Sequence, residues 1–203
     1  MTNSTDDQPI IELVNLIKTY GLLPVLRKIN LQIFRGEFVA LLGPNGSGKS
    51  TTLRLLTGLT RPTAGRILVG GWEVPGEVAA VRAQIGLVSH KSLLYENLTA
   101  RENLNFFGSL YNIPRNKLKE QIDHILEQVN LADRGNDLVR TYSRGMQQRL
   151  SIARALLHGP HVLLFDEPYT GLDQSAAATL DGLLQNARQA HHTIILATHQ
   201  LNR

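Results

Sequence analysis

The chain has 203 residues, 42% hydrophobic and 19% charged, a balance that excludes disorder and allows one substantial core. Its formal net charge is +4, with no basic run longer than two residues, which reads as a scattered solvated surface plus cations for an anionic ligand rather than a nucleic-acid face. There is no cysteine, which excludes disulfide staples, thiolate metal sites and a thiol nucleophile.

Met1 to Pro9 is polar and slightly acidic, without the basic and apolar regions of a secretory signal, so a cytoplasmic chain is expected. Ile10 to Ile33 and Arg66 to Val74 hold short apolar stretches broken by Gly21, Gly70 and Gly71, the pattern of a small antiparallel β region. Phe38 to Leu42, Val162 to Phe165 and Ile194 to Ala197 fall far below the ~20 residues of a spanning helix and are expected as buried strands. The first of them leads through a glycine-rich loop into a helix from Lys49 to about Leu56, stopped by Gly58 and Pro62.

From about Ser92 to Tyr142 the pattern turns helical. Thr99 and Glu102 form a capping box, Leu104, Phe107 and Tyr111 share a face, and Ile122, Ile125, Leu126 and Val129 repeat the spacing after Pro114. The sheet resumes at His161 to Asp166, passes through a helix bearing Leu180, Leu183, Leu184 and Ala187, and closes at Thr193 to Thr198. No repeat is visible, and residues 1–203 read as one α/β domain with a helical insert at about 92–142.

The strongest chemical signal is Gly43-Pro44-Asn45-Gly46-Ser47-Gly48-Lys49-Ser50, a full phosphate-loop pattern. Its glycines let backbone N–H groups converge on phosphate oxygens, the following helix presents its positive end, Lys49 neutralises charge and Ser50 offers a hydroxyl to Mg²⁺. Val162-Leu163-Leu164-Phe165 runs into Asp166-Glu167, where the first acid suits a metal shell and the second a base acting on water. Both motifs, and His199, fall at the C-terminal ends of expected parallel strands, where open α/β sheets bind ligands.

In this order the motifs resemble the ABC ATPase family over essentially the whole chain. That resemblance implies a phosphate-loop ABC ATPase fold with a parallel core sheet, an antiparallel β subdomain and an inserted helical lobe. It implies ATP and Mg²⁺ as ligands, with Gly43 to Ser50 and Thr51 around the phosphates and Ser50 and Asp166 on the metal. Lys49, Glu167 and His199 are then the catalytic set. Tyr142-Ser143-Arg144-Gly145-Met146 is similar to the family signature, in which Ser143 and Gly145 would reach the nucleotide of a second copy and Ser143 would cap the helix carrying Leu150, Ala153 and Leu157. Arg144 and Met146 depart from its usual Gly and Gln. Thr170-Gly171-Leu172-Asp173 resembles the loop that crosses the dimer interface, and Tyr20 the aromatic residue that stacks on adenine, with a core tyrosine as the competing reading. His90 stands where the family usually has Gln; imidazole is a poorer Mg²⁺ ligand than an amide oxygen, which favours contact through water, with a proton-sensitive coupling residue and a neutral substitution as the alternatives.

The implied activity is ATP hydrolysis by a homodimer, or a pair with a related ATPase subunit, peripheral on the inner face of the cell membrane and coupled to separate transmembrane permease subunits. No nucleic acid is expected as a partner. The short stretch after His199, Leu94 to Thr99, the Ser-Arg-Gly-Met signature and Asp166 to Asp173 look most like the haem-exporter ATP-binding subunits of cytochrome c biogenesis. Exporter ATPases for drugs, lipids or polysaccharide are the alternative, and a non-transport ABC ATPase acting on nucleic acid stands third.

Overall fold

The computed structural model describes residues 8–89 and 91–199. In chain order the elements are β1 (Ile11–Tyr20), β2 (Leu23–Ile33), β3 (Phe38–Leu42), α1 (Lys49–Leu56), β4 (Ala64–Val69), β5 (Trp72–Val74), α2 (Val78–Gln84), β6 (Ile85–Val88), α3 (Ala100–Leu110), α4 (Arg115–Gln128), α5 (Arg144–Leu156), β7 (Val162–Asp166), α6 (Gln174–Gln189) and β8 (Thr193–Thr198).

Two four-stranded sheets form. The antiparallel one runs β2-β1-β4-β5, and the second runs β3-β8-β7-β6 with every neighbouring pair parallel. A core of Ile11, Leu16, Ile33, Ile67 and Val69 from the antiparallel sheet, Leu53 and Leu56 from α1, and Val162, Leu164 and Ile195 joins the two. The opposite face of the parallel sheet packs Phe165, Ile194 and Leu196 against Ile152 and Ala155 of α5 and Leu180 and Leu184 of α6. The helical lobe has its own apolar centre, with Leu104 of α3, Leu118, Ile122 and Leu126 of α4, and Leu150 and Ala153 of α5.

Local chemistry explains the ends of the helices. Thr99 and Glu102 exchange both hydrogen bonds of a capping box at the start of α3. Pro114 precedes α4, where its missing N–H costs nothing. Buried Asn103 accepts from Tyr95 N and donates to the carbonyls of Tyr95 and Thr99, fixing the turn that enters the lobe.

Two expectations are corrected. The run Phe38 to Leu42 is a strand, but not a buried one, because β3 is an edge strand and Phe38 and Leu42 are 41% and 52% exposed beside an apolar cavity of about 410 Å³. Ile85–Val88 is a parallel strand paired in register with β7, and α2 precedes it; the sequence reading assigned neither, since each is at most seven residues long.

Candidate functional site

Register brings the site together. Leu42 pairs with Thr198, Ala197 with Asp166 and Phe165 with Val88, so the four parallel strands end in one row. The segments beginning at Gly43, His199, Glu167 and Ser89 therefore leave the sheet side by side, at the edge where such sheets bind ligands.

The loop after β3 turns through left-handed glycines, Gly46 at φ 83° and Gly48 at φ 98°. A Cβ at Gly48 would lie 2.8 Å from Leu26, so only glycine lets α1 start against β2, whereas the space at Gly46 is open. No side chain caps α1, which leaves its first N–H groups free for an anion. The Lys49 ammonium donates to the carbonyls of Gly43 at 2.7 Å and Pro44 at 3.1 Å and lies 3.7 Å from Glu167. Thr51, in the first turn of α1, is half-buried.

Ser50 Oγ donates to Asp166 Oδ1 at 2.8 Å, joining the helix and the end of β7 in one hard-oxygen pair. The next residue, Glu167, has φ 52°, a strained value for a residue with a side chain, and its N–H donates to Ala197 O. Its Oε2 stands 2.9 Å from His199 Nδ1 and accepts from Thr198 Oγ1 at 3.3 Å. Its Oε1 is buried without a hydrogen-bond partner. Burial pushes the Glu167 carboxyl up, but the hydrogen bond and charge of His199, with the Lys49 ammonium, outweigh it and hold the group below its ordinary value. Glu167 is thus an ionised acceptor whose Oε1 accepts no hydrogen bond and faces the Lys49 ammonium at 3.7 Å.

A second cluster lines a separate cavity of about 350 Å³ between the starts of α5 and α6. Ser143 caps α5, accepting from Met146 N at 3.3 Å, and Asp173 caps α6, accepting from Ala176 N at 2.7 Å. Gly145 fits because a Cβ there would come within 2.9 Å of Ala176. The Arg144 guanidinium rests on Gly171, so the residue that departs from the family pattern ties the α5 start to the turn before α6. Tyr20 ends β1 with Lys18 Nζ 4.7 Å above its ring and is 46% exposed, which removes the core reading and leaves a ring open for stacking. His90 lies outside the described residues.

Sequence reasoning missed Ser89 and Lys91, which line a cavity of about 300 Å³ together with Ser50 and Asp166. It also missed Arg154, a buried cation; its signal was a charge set among Ile152, Ala153, Ala155 and Leu156.

The residues fit ATP and Mg²⁺. The uncapped helix start, the open space at Gly46 and the Lys49 ammonium suit phosphate, the Ser50–Asp166 oxygens suit a hard cation, and Glu167 Oε1, which accepts no hydrogen bond, suits a water proton. Among the described residues no helix is long and apolar enough to cross a membrane.

A family profile described as ABC transporter matches residues 26–170. The chain is 36% identical over 187 residues to the linearmycin resistance ATP-binding protein LnrL of Bacillus subtilis, covering 92% of this chain and 60% of that protein. It is 41% identical over 184 residues to the daunorubicin resistance ATP-binding protein DrrA3 of Streptomyces coeruleorubidus, covering 91% and 58%. The chain therefore spans about three fifths of the length of these two relatives. Among solved structures, the ATP-binding cassette MJ0796, described as a dimer in a post-hydrolysis state bound to ADP and Pi, superposes with a TM-score of 0.84 at 30% identity, over 95% of this chain and 89% of that one.

Proposed function

The chain belongs to the ABC transporter family, and from that premise we propose that it is the ATP-binding and ATP-hydrolysing subunit of an exporter, working as a dimer beneath separate transmembrane subunits. The observation that carries the reading is the convergence of Lys49, Ser50, Asp166, Glu167 and His199 on one row of strand ends.

In this reading Gly43, Pro44, Asn45, Gly46, Ser47 and Gly48 wrap the phosphates with backbone N–H groups, Thr51 supports them from α1, and Lys49 exchanges its two carbonyl acceptors for phosphate oxygens. Ser50 and Asp166 would hold Mg²⁺, which when bound would supply charge neutralisation for phosphoryl transfer. Glu167 Oε1 accepts the proton of the attacking water while His199 keeps Oε2 oriented and the carboxylate ionised. Tyr20 stacks on the base. Ser143, Gly145 and Asp173 act across the dimer. Residues 1–203 act as one nucleotide-binding unit whose helical lobe, about 92–142, faces the permease at the inner side of the membrane.

For cargo, the relatives favour drug-type export, since the names of LnrL and DrrA3 both state drug resistance. Haem export, the sequence expectation, draws no support from them. The test is ATP hydrolysis by the protein co-purified with its membrane subunits, and transport in vesicles of linearmycin or daunorubicin against haem. No turnover with Mg²⁺ would refute the ATPase reading, and haem movement without drug movement would reverse the cargo.

A further inference from the structure

Arg154 is 7% exposed, and among the described residues no carboxylate pairs with it. Its acceptors are carbonyls on both arms of one loop: Nη2 donates to Leu87 O at 2.8 Å, and Nη1 to Ser92 O at 2.9 Å and Leu93 O at 3.1 Å. Ser151, fully buried one turn earlier on α5, adds a 3.3 Å bond to Ser92 O, and the guanidinium lies 5.2 Å from the Phe107 ring of α3. A buried cation costs several kcal/mol of hydration that packing alone does not return. A planar five-donor fork, unlike an aliphatic chain, can hold two separate strands of backbone at once.

The loop it holds is a wall of the site. Leu87, Ser89, Lys91 and Leu93 line the cavity that also contains Ser50 and Asp166. The Ser89 hydroxyl donates to Lys91 O, closing the turn on itself, so the wall's place relative to Asp166 depends on what anchors its arms.

We propose that Arg154 is a positioning residue for the metal side of the site, fixing through the carbonyls of Leu87, Ser92 and Leu93 the loop whose Ser89 and Lys91 wall the Ser50–Asp166 cavity. The inference rests on reading Ser50 and Asp166 as the metal side of an ATP site. Because Ser143 caps the start of α5, Arg154 also places this wall and the signature cap at opposite ends of one helix.

The test separates metal from nucleotide, using Mn²⁺ and ADP as probes. Mn²⁺ affinity of the ADP-loaded protein, read from the free-ion resonance, should weaken about 10-fold in Arg154→Met, the usual cost of losing an outer-shell support. ADP affinity in EDTA should stay within twofold of wild type. Arg154→Lys, which keeps the charge but not the fork, and Ser151→Ala should fold and show smaller losses of about threefold. As a readout without metal or turnover, a nitroxide at Lys91→Cys, unique because the chain has no other cysteine, should sharpen its spectrum when Arg154→Met or Arg154→Lys is added. Unchanged Mn²⁺ affinity and label mobility in the folded variants would overturn the proposal, as would equal losses of ADP and Mn²⁺ binding. Wild-type protein that binds neither ADP nor Mn²⁺ would instead refute the ATP-site reading on which it stands.

Discussion

His199 and Glu167, 32 residues apart in sequence, meet at 2.9 Å between Nδ1 and Oε2, and this contact is the strongest influence opposing the rise in pKa that burial imposes on Glu167. His199→Ala leaves burial opposed by Lys49 and the backbone at position 199. The Glu167 carboxyl should then titrate at higher pH than in the wild type, in ¹³C spectra of glutamate-labelled protein. The sign follows from a folded value below the unfolded one: the stability Glu167 contributes is present above about pH 4.3 and lost as pH falls through the folded value. In His199→Ala that loss should begin at higher pH, and an unmoved Glu167 titration would remove His199 from this role.

Glu167→Gln keeps the volume and removes the carboxylate charge from the side chain whose Oε1 accepts no hydrogen bond. Hydrolysis should fall roughly 10²- to 10⁴-fold while ATP binding persists, with a nucleotide-bound dimer accumulating on size exclusion. A single-turnover rate within a factor of two of wild type would exclude the base role.

Lys49→Ala removes the one ammonium in the phosphate loop. Labelled-ATP titration should show binding weakened at least 10²-fold, because helix N–H dipoles alone then face the phosphate charge. Retained affinity would place the primary nucleotide site elsewhere.

His158 is packed face to face on Tyr111, 3.8 Å between ring centres, with Nε2 3.1 Å from Ile85 O. Burial pushes it down to about 4. The unfolded chain therefore binds the extra proton first, and stability should decline between about pH 6.5 and 4, by on the order of 1–2 kcal/mol given the ring's partial exposure. His158→Gln should flatten that part of the urea-midpoint curve against pH. An unchanged slope would mean that another group titrates there.

Much of this was legible in the sequence, for identifiable reasons. The limits of α1 from Lys49 to Leu56 follow from a phosphate loop and a Gly58 stop, and the Thr99–Glu102 and Ser143 caps follow from short-range hydrogen bonding. Facts that depend on distant neighbours were hidden. Whether β3 is central or at an edge is decided by β8, more than 150 residues later, and whether Arg154 is solvated or buried is decided by Leu87, Ser92 and Leu93. The close passage of β6 under α5 was equally invisible.

Gly86 marks that passage. A Cβ built there collides with Ala155 O and approaches Leu163 Cδ2 at 2.9 Å, although its backbone is otherwise ordinary. Gly86→Ala should destabilise by about 1–3 kcal/mol or more, because backbone rather than a flexible side chain must move. Chemical denaturation with unchanged midpoint would show that β6 and α5 separate freely.

The two helix starts that share the second cavity are capped differently, and this gives the cavity a polarity. At α6 the Asp173 carboxylate brings a full negative charge to the positive end of the helix dipole and cancels it, whereas at α5 the Ser143 hydroxyl satisfies the Met146 N–H and adds no charge. A hydroxyl that accepts one hydrogen bond still has its own proton to give. An anion entering between α5 and α6, in a cavity also lined by Arg144 and Arg149, would meet an uncharged donor on the α5 wall and a carboxylate on the α6 wall, so under the proposed dimer reading the two walls would orient a phosphate differently.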